Sequence, residues 1–80
     1  MDKKVRVFST PGCDLCERTR RFLTEKGVDF DYIDVTLDRD SLQEMRQLSR
    51  GARSAPVVSV GDKVLLGFNK EELEKAIGLL

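Results

Sequence analysis

The first half of the chain alternates short β-branched runs with a segment of helical periodicity. Val5–Phe8 and Phe30–Val35 are rich in β-branched and aromatic residues, so each predicts a strand. Between them, side chains recur at the spacing of one helix face, and Gly27 follows the last of them as a residue that commonly ends a helix. The members of this face are Leu15, Thr19, Phe22 and Leu23. The pattern predicts a β-α-β unit with parallel strands and a right-handed crossover.

A second helix is predicted after the second strand. Asp40 and Gln43 are typical of a capping pair at a helix start, and Gly51 is the expected end. Its apolar face consists of Leu42, Met45 and Leu48. A β-hairpin follows, because Val57–Val60 and Lys63–Leu66 are strand-like runs separated by only two residues that form a tight turn.

The last helix is predicted from Asn69, a favourable N-cap with Glu72 three residues on. Its apolar face consists of Leu73, Ala76, Ile77 and Leu80. The element order is therefore β-α-β-α-β-β-α. This order predicts an α/β domain of the thioredoxin-like class, with a four-stranded mixed sheet and three helices over its two faces, spanning residues 1–80 as one domain.

Composition narrows the class of protein. The chain has 80 residues, 40% hydrophobic and 35% charged, which fits one soluble domain with a small core. Its 14 basic and 14 acidic residues balance, so we expect no nucleic-acid partner. We also expect a monomer. The N-terminus has no apolar region typical of a signal peptide, so we expect none. No apolar run approaches the length of a membrane span, so we expect no membrane association. A pair of cysteines in so small a chain fits a reducing cytoplasm.

Cys13 and Cys16, the only cysteines, carry the candidate chemistry. They follow the first strand and the Pro11-Gly12 turn, so Cys13 is expected at an exposed loop-to-helix junction. Unpaired N–H groups and the partial positive charge of a helix N-terminus favour a thiolate there. The second cysteine is one helical turn further on, close enough to attack a mixed disulfide formed by the first. This spacing beside a β-α-β pattern predicts a redox dithiol.

The cysteine pair has two other interpretations. A C-x-x-C can be half of a zinc site, but zinc usually needs four cysteine or histidine ligands. The chain has no further cysteine and no histidine, so one chain cannot complete such a site, and we predict no metal ligands. Alternatively, both thiols could be buried and inert. The Pro-Gly turn argues against this interpretation for Cys13.

The chain resembles the glutaredoxin family over essentially its whole length. The matching segments are Val5–Cys16, Phe30–Val35, Ser54-Ala55-Pro56 and Gly67-Phe68-Asn69. The resemblance implies that Cys13 is the nucleophile and that Cys16 resolves the mixed disulfide. It also implies that Pro56 follows a cis peptide bond and packs against the dithiol, where it presents the Ala55 backbone to an extended thiol peptide.

The same resemblance implies a glutathione groove. Its residues would come from the segment before the cis-proline and from the N-terminus of the last helix, which can hold a carboxylate. The corresponding positions are Thr10, Ala55, Pro56, Gly67, Phe68 and Asn69, with Arg39 and Arg53 as basic candidates. Solvated surface arginines are an equally good interpretation of the last two.

The chain departs from the family pattern at three places. The usual Pro-Tyr between the cysteines is Asp14-Leu15. The position before Pro11, often a lysine that contacts glutathione, is Thr10, and Lys70 replaces an expected acidic residue. Asp14 opposes a neighbouring thiolate, and Arg18, one turn on, is expected to neutralise part of that charge. A simple helix-start preference is the alternative explanation of Asp14.

These features predict a thiol–disulfide oxidoreductase that acts on protein disulfides or glutathione mixed disulfides and requires no cofactor. Glutathione is the expected reductant, though a less efficient one than for typical glutaredoxins. The main alternative is a redoxin of the ribonucleotide-reductase type, supplied by a flavin-dependent thioredoxin reductase. Two further alternatives are a carrier that holds a [2Fe–2S] cluster between two subunits and a non-catalytic binding module.

Overall fold

Four strands form one mixed sheet in the computed structural model, which describes residues 5–50 and 55–78. They are β1 (Val5–Ser9), β2 (Asp31–Asp34), β3 (Val57–Val60) and β4 (Lys63–Leu66). Their order across the sheet is β2-β1-β3-β4. β1 pairs in parallel with β2 and antiparallel with β3, which forms a hairpin with β4. The predicted mixed sheet and fold class are therefore confirmed.

Three helices cover the two faces of this sheet, as predicted. They are α1 (Asp14–Glu25), α2 (Arg39–Leu48) and α3 (Lys70–Gly78). α1 and α3 pack on one face, where Leu23 and Leu73 are fully buried among the strand valines. α2 packs on the other face through Met45, against Phe8. Complete burial of a large apolar side chain such as Phe8 contributes about 1.5–3 kcal/mol, so the two small clusters hold the helices on the sheet.

The ends of α1 and α3 follow the sequence signals. Gly27 has a positive φ of 71°, and its N–H donates to the Thr24 carbonyl at 3.1 Å, which ends α1. Asn69 Oδ1 accepts the Glu72 N–H at 3.1 Å and caps α3. Both predictions are confirmed. Leu80, predicted on the face of α3, lies outside the described residues.

The predicted start of α2 at Asp40 is wrong. Asp38 is the N-cap: its Oδ1 accepts the Asp40 N–H at 3.1 Å, and its Oδ2 accepts the Ser41 hydroxyl at 2.7 Å. The Ser41 hydrogen bond, followed by the backbone bond from Asp40, lowers the pKa of Asp38 below its ordinary value of 3.8. The sequence offers aspartates at both positions, and only Asp38 has the extended backbone that an N-cap needs. α2 ends at Leu48, and Gly51 lies outside the described residues.

Two further boundaries differ from the prediction. β2 comprises Asp31–Asp34 and omits Phe30 and Val35, although the Val35 N–H still donates to the Ser9 carbonyl at 3.0 Å. Leu15, placed by its spacing on the buried face of α1, is instead 42% exposed. Cys16 takes that place in the core, one residue along the helix. No helix in the described part of the chain is long and apolar enough to cross a membrane.

Candidate active site

The dithiol lies where β1 ends and α1 begins. Cys13 is the N-cap of α1 and Cys16 lies in its first turn, with their Cα atoms 5.2 Å apart and the two sulfurs joined as a disulfide. Cys16 is completely buried, whereas Cys13 is half-buried. Cys13 is therefore the more accessible of the two cysteines.

The helix start supplies the electrostatics of Cys13. The Cys16 N–H points at the Cys13 sulfur, with a nitrogen–sulfur distance of 3.1 Å. The helix that Cys13 caps, α1, is 12 residues long. This donor and the helix dipole both favour negative charge on the sulfur once the disulfide is reduced. Asp14 adds an opposing charge in the first turn. No ion pair joins Asp14 to Arg18 in the described parts of the chain, so the expected neutralisation does not arise from a direct contact.

β3 begins and β4 ends at the sheet edge where β1 ends, because Val57 pairs with both Phe8 and Leu66. We call the residues at these two ends the proline flank (Ala55, Pro56, Gly67, Asn69 and Lys70). The Ala55–Pro56 peptide bond is cis, as the resemblance implied. The Pro56 carbonyl accepts the Gly67 N–H at 2.8 Å, which ties the loop before β3 to the loop after β4. Asn69 then caps α3. The structure thus brings together four of the predicted groove residues.

The other predicted groove residues have mixed outcomes. Phe68 turns its ring into the core, edge-on to Phe22 at 6.1 Å between centroids, so it offers the groove only its backbone. Arg39 is the exposed first residue of α2, and none of the described contacts links it to the dithiol. Arg53 and Ser54 lie outside the described residues.

On the other side of Cys13, a depression of about 190 Å³ lies between the start of α1 and the end of β2; we call it the β2 flank. Besides Cys13, its wall includes Thr10, Asp14, Tyr32 and Asp34. No motif in the sequence indicated a role for Tyr32 or Asp34. A signal was present, because parallel β1 and β2 end at the same sheet edge, where Asp34 is paired with the last residue of β1.

The described residues contain no group of three or more His, Cys, Asp or Glu side chains that could hold a metal ion. An iron–sulfur cluster takes four thiolates in its common form. This chain supplies only the half-buried Cys13 and the fully buried Cys16. A cluster would therefore need a second chain and additional thiols.

Known proteins share this fold. The family model described as Glutaredoxin matches residues 5–65. The chain belongs to the glutaredoxin family. A glutaredoxin-like 8.6 kDa protein from the rubredoxin operon of Clostridium pasteurianum is 36% identical over 73 residues, which cover 91% of this chain and 96% of that protein.

Two solved structures of the family are also similar. The glutaredoxin from Archaeoglobus fulgidus superposes with a TM-score of 0.80 at 34% identity, over 94% of this chain and 86% of the other. The NrdH-redoxin from Escherichia coli has the same TM-score at 26% identity, over 90% of this chain and 92% of its own. With the C-x-x-C pair at the helix start, family membership identifies a glutaredoxin-like thiol–disulfide oxidoreductase.

Proposed function

We propose that Cys13 is the attacking cysteine of this oxidoreductase and that Cys16 is the resolving one. The observation that carries this assignment is the difference in exposure of the two cysteines, because Cys16 is completely buried and Cys13 is not. The Cys16 N–H directed at the Cys13 sulfur supports the same assignment, since it stabilises a thiolate there.

The proposed reaction has two exchange steps. The Cys13 thiolate attacks one sulfur of a substrate disulfide, so that a Cys13–substrate disulfide forms and the other substrate sulfur leaves as a thiolate. The Cys16 thiolate then attacks the Cys13 sulfur. The substrate leaves with both of its thiols reduced. The dithiol has lost two electrons and is now the Cys13–Cys16 disulfide. No resident cofactor takes part in either step.

Glutathione is the proposed reductant, with a lower efficiency than in typical glutaredoxins. The proline flank supports this proposal, because it combines the Ala55 backbone with the capped N-terminus of α3, and such helix starts favour carboxylates. Thr10 and Lys70 argue for the lower efficiency. Thr10 lacks the cation expected for a glutathione carboxylate, and Lys70 repels the ammonium group of glutathione.

A thioredoxin reductase is the second candidate electron source. The specific observation in its favour is the similarity to the Escherichia coli NrdH-redoxin, which is described as having a thioredoxin-like activity profile. The two departures at Thr10 and Lys70 favour the same alternative, because they weaken the glutathione site without affecting the dithiol.

Two coupled assays run in parallel test these proposals. The oxidised protein is reduced either by glutathione with glutathione reductase or by thioredoxin reductase, and oxidation of the nicotinamide cofactor of each reductase is followed. We expect measurable but slow turnover with glutathione. If only thioredoxin reductase supports turnover, that reductase and not glutathione is the electron source. If neither supports turnover, the result favours a non-catalytic binding module. Visible absorbance of protein purified without oxygen would instead support the [2Fe–2S] carrier.

The setting we propose follows from this chemistry. A dithiol enzyme of this kind works in a reducing compartment, which for this chain would be the cytoplasm. Its partners would be disulfide-containing proteins and the reductant, and it would act as a monomer without nucleic acid or membrane.

A further inference from the structure

The β2 flank continues beyond the depression at Cys13. β2 is an edge strand, and alternate residues along this segment face the side of the sheet that α1 covers. Tyr32 is one of them: the Arg20 guanidinium lies over its ring at 5.5 Å. Tyr32 also lines a second depression of about 540 Å³ with Arg21 and Phe30. The two depressions share Tyr32, so they form one surface, which we call the α1–β2 groove.

The end of this groove at Cys13 is acidic. Its wall includes the carboxylates of Asp14, Glu17 and Asp34. Glu17 is neutralised by Arg20, whose Nη2 lies 2.5 Å from its Oε2. Asp14 and Asp34 have no ion pair within the described residues. Asp34 Oδ1 is held in place by the Thr36 N–H at 2.9 Å and the Thr36 hydroxyl at 2.6 Å. Two uncompensated carboxylates therefore flank the reactive sulfur on this side.

The far end of the groove is lined by two arginines, Arg20 and Arg21, and by one carboxylate, Glu25. Arg21 is exposed and has no ion pair in the portions of the chain that the structure describes. It lies eight residues after Cys13 along α1, which corresponds to about 12 Å of helix. About four residues of an extended polypeptide span the same distance. Phe30 and Tyr32 provide an apolar floor between the two ends.

We propose that the α1–β2 groove binds the polypeptide around the reacting cysteine of a protein substrate. In such a substrate a basic side chain adjoins the cysteine and meets Asp14 and Asp34, and an acidic side chain about four residues away meets Arg21. This proposal rests on the proposed function, because it names the substrate of the same dithiol. A groove that is acidic beside the sulfur and offers the unpaired Arg21 at its far end selects a partner by the order of its charges along the chain.

Two synthetic peptides of identical composition and net charge test this order. One has lysine on both sides of its cysteine and glutamate four residues away in both directions, and the other exchanges all lysines and glutamates. Because each peptide is symmetric, the direction in which it lies in the groove does not matter. Each cysteine is supplied as a mixed disulfide with pyridine-2-thiol. Attack by reduced Cys13 on the peptide sulfur breaks that disulfide and releases pyridine-2-thione, whose absorbance gives the rate.

Each rate is divided by the rate of the same peptide with 2-mercaptoethanol, which removes the intrinsic reactivity of the peptide. We expect the lysine-flanked peptide to react about fivefold to tenfold faster than its exchanged partner at low salt, and the ratio to fall towards one at high salt. A ratio of one at low salt would overturn the proposal.

Two variants locate the selectivity in the groove. Asp34→Asn keeps an oxygen for the Thr36 hydrogen bonds and removes the charge, and Arg21→Glu reverses the far end. Each should lower the ratio about twofold to threefold. The matched control is Arg46→Glu, since Arg46 is an exposed arginine in the last turn of α2, on the opposite face of the sheet. An undiminished ratio in both groove variants would overturn the proposal. Failure of the wild type with both peptides, while 2-mercaptoethanol reacts, would overturn the proposed function itself.

Discussion

The two flanks of the dithiol present opposite chemistry to the same sulfur. On the proline flank, the Pro56 carbonyl is already used by Gly67, and the first turn of α3 carries Lys70, Glu71 and Glu72. On the β2 flank, Asp14 and Asp34 surround the sulfur with negative charge. On our proposals, glutathione would bind at the N–H groups of the α3 start on the first flank, and a basic protein segment would bind on the second. One nucleophile can therefore receive its reductant and its substrate from different sides.

The largest expected effect comes from removing that shared nucleophile. Cys13→Ser should lower disulfide reduction at least about a thousandfold, because the buried Cys16 cannot reach a substrate. Cys16→Ser should instead accumulate a mixed disulfide on Cys13. Mass spectrometry after exposure to oxidised glutathione reports both results. An adduct that forms on Cys16 in Cys13→Ser as readily as on Cys13 in Cys16→Ser would reverse the two roles.

A smaller effect is expected from restoring the charges of a typical glutaredoxin at Lys70, on the proline flank, and at Thr10, which lines the β2 flank. The double variant Thr10→Lys with Lys70→Asp should raise the ratio of glutathione-coupled to thioredoxin-reductase-coupled turnover about threefold to tenfold. Each change supplies one ion pair to glutathione, and an ion pair at a solvent-exposed rim contributes about 0.2–1 kcal/mol. The single variant Lys70→Asp shows how much of the change in ratio is due to position 70 and how much to position 10. An unchanged ratio in Lys70→Asp would mean that glutathione does not use the proline flank.

The N-caps of α3 and α2 allow a matched comparison. The α3 cap, Asn69, belongs to the proposed glutathione groove, and the α2 cap, Asp38, does not. Asn69→Ala and Asp38→Ala should each lower the free energy of unfolding by about 1 kcal/mol, since each removes a side-chain N-cap. Only Asn69→Ala should also slow glutathione-coupled turnover, by about twofold. Urea denaturation and the coupled assay measure the two effects. Equal turnover in both variants would remove the α3 start from the groove.

The smallest expected effect is electrostatic. Asp14→Asn should lower the thiol pKa of reduced Cys13 by roughly half a pH unit, because it removes a like charge in the same helical turn. Asp40→Asn, the corresponding change in the first turn of α2, should leave that pKa unchanged. Titration of the thiolate absorbance measures both. A higher pKa in Asp14→Asn would contradict the assignment of Asp14.

The fold was predictable because its signals are local. Strand-like runs, the Gly27 helix end and the Asn69 cap each depend on a few neighbouring residues. The start of α2 was mispredicted because Asp38 and Asp40 offer the same side chain, and only the observed backbone decides between them. Leu15 was predicted to be buried, but Cys16 is buried in its place, because helical spacing alone does not fix which side of α1 faces the sheet.

The two flanks were not equally predictable. The proline flank came from motifs of the family and needed no geometry. The β2 flank depends on the pairing of Asp34 with the end of β1 and on Tyr32 facing α1. The β-α-β pattern predicts that β1 and β2 end at the same edge. It does not predict the register that pairs Ser9 with Asp34 or the contact of Arg20 with Tyr32, because both join residues more than ten positions apart.

The most direct test of the two-flank account is an amide NMR comparison of two adducts on Cys13. In the Cys16→Ser protein, Cys13 is linked either to glutathione or to the lysine-flanked peptide, and the amide shifts are compared with those of the S-methylthio adduct. The account predicts that glutathione perturbs Ala55, Gly67 and Asn69. The peptide should instead perturb Arg21, Tyr32 and Asp34. Perturbation of the same flank by both adducts would contradict it.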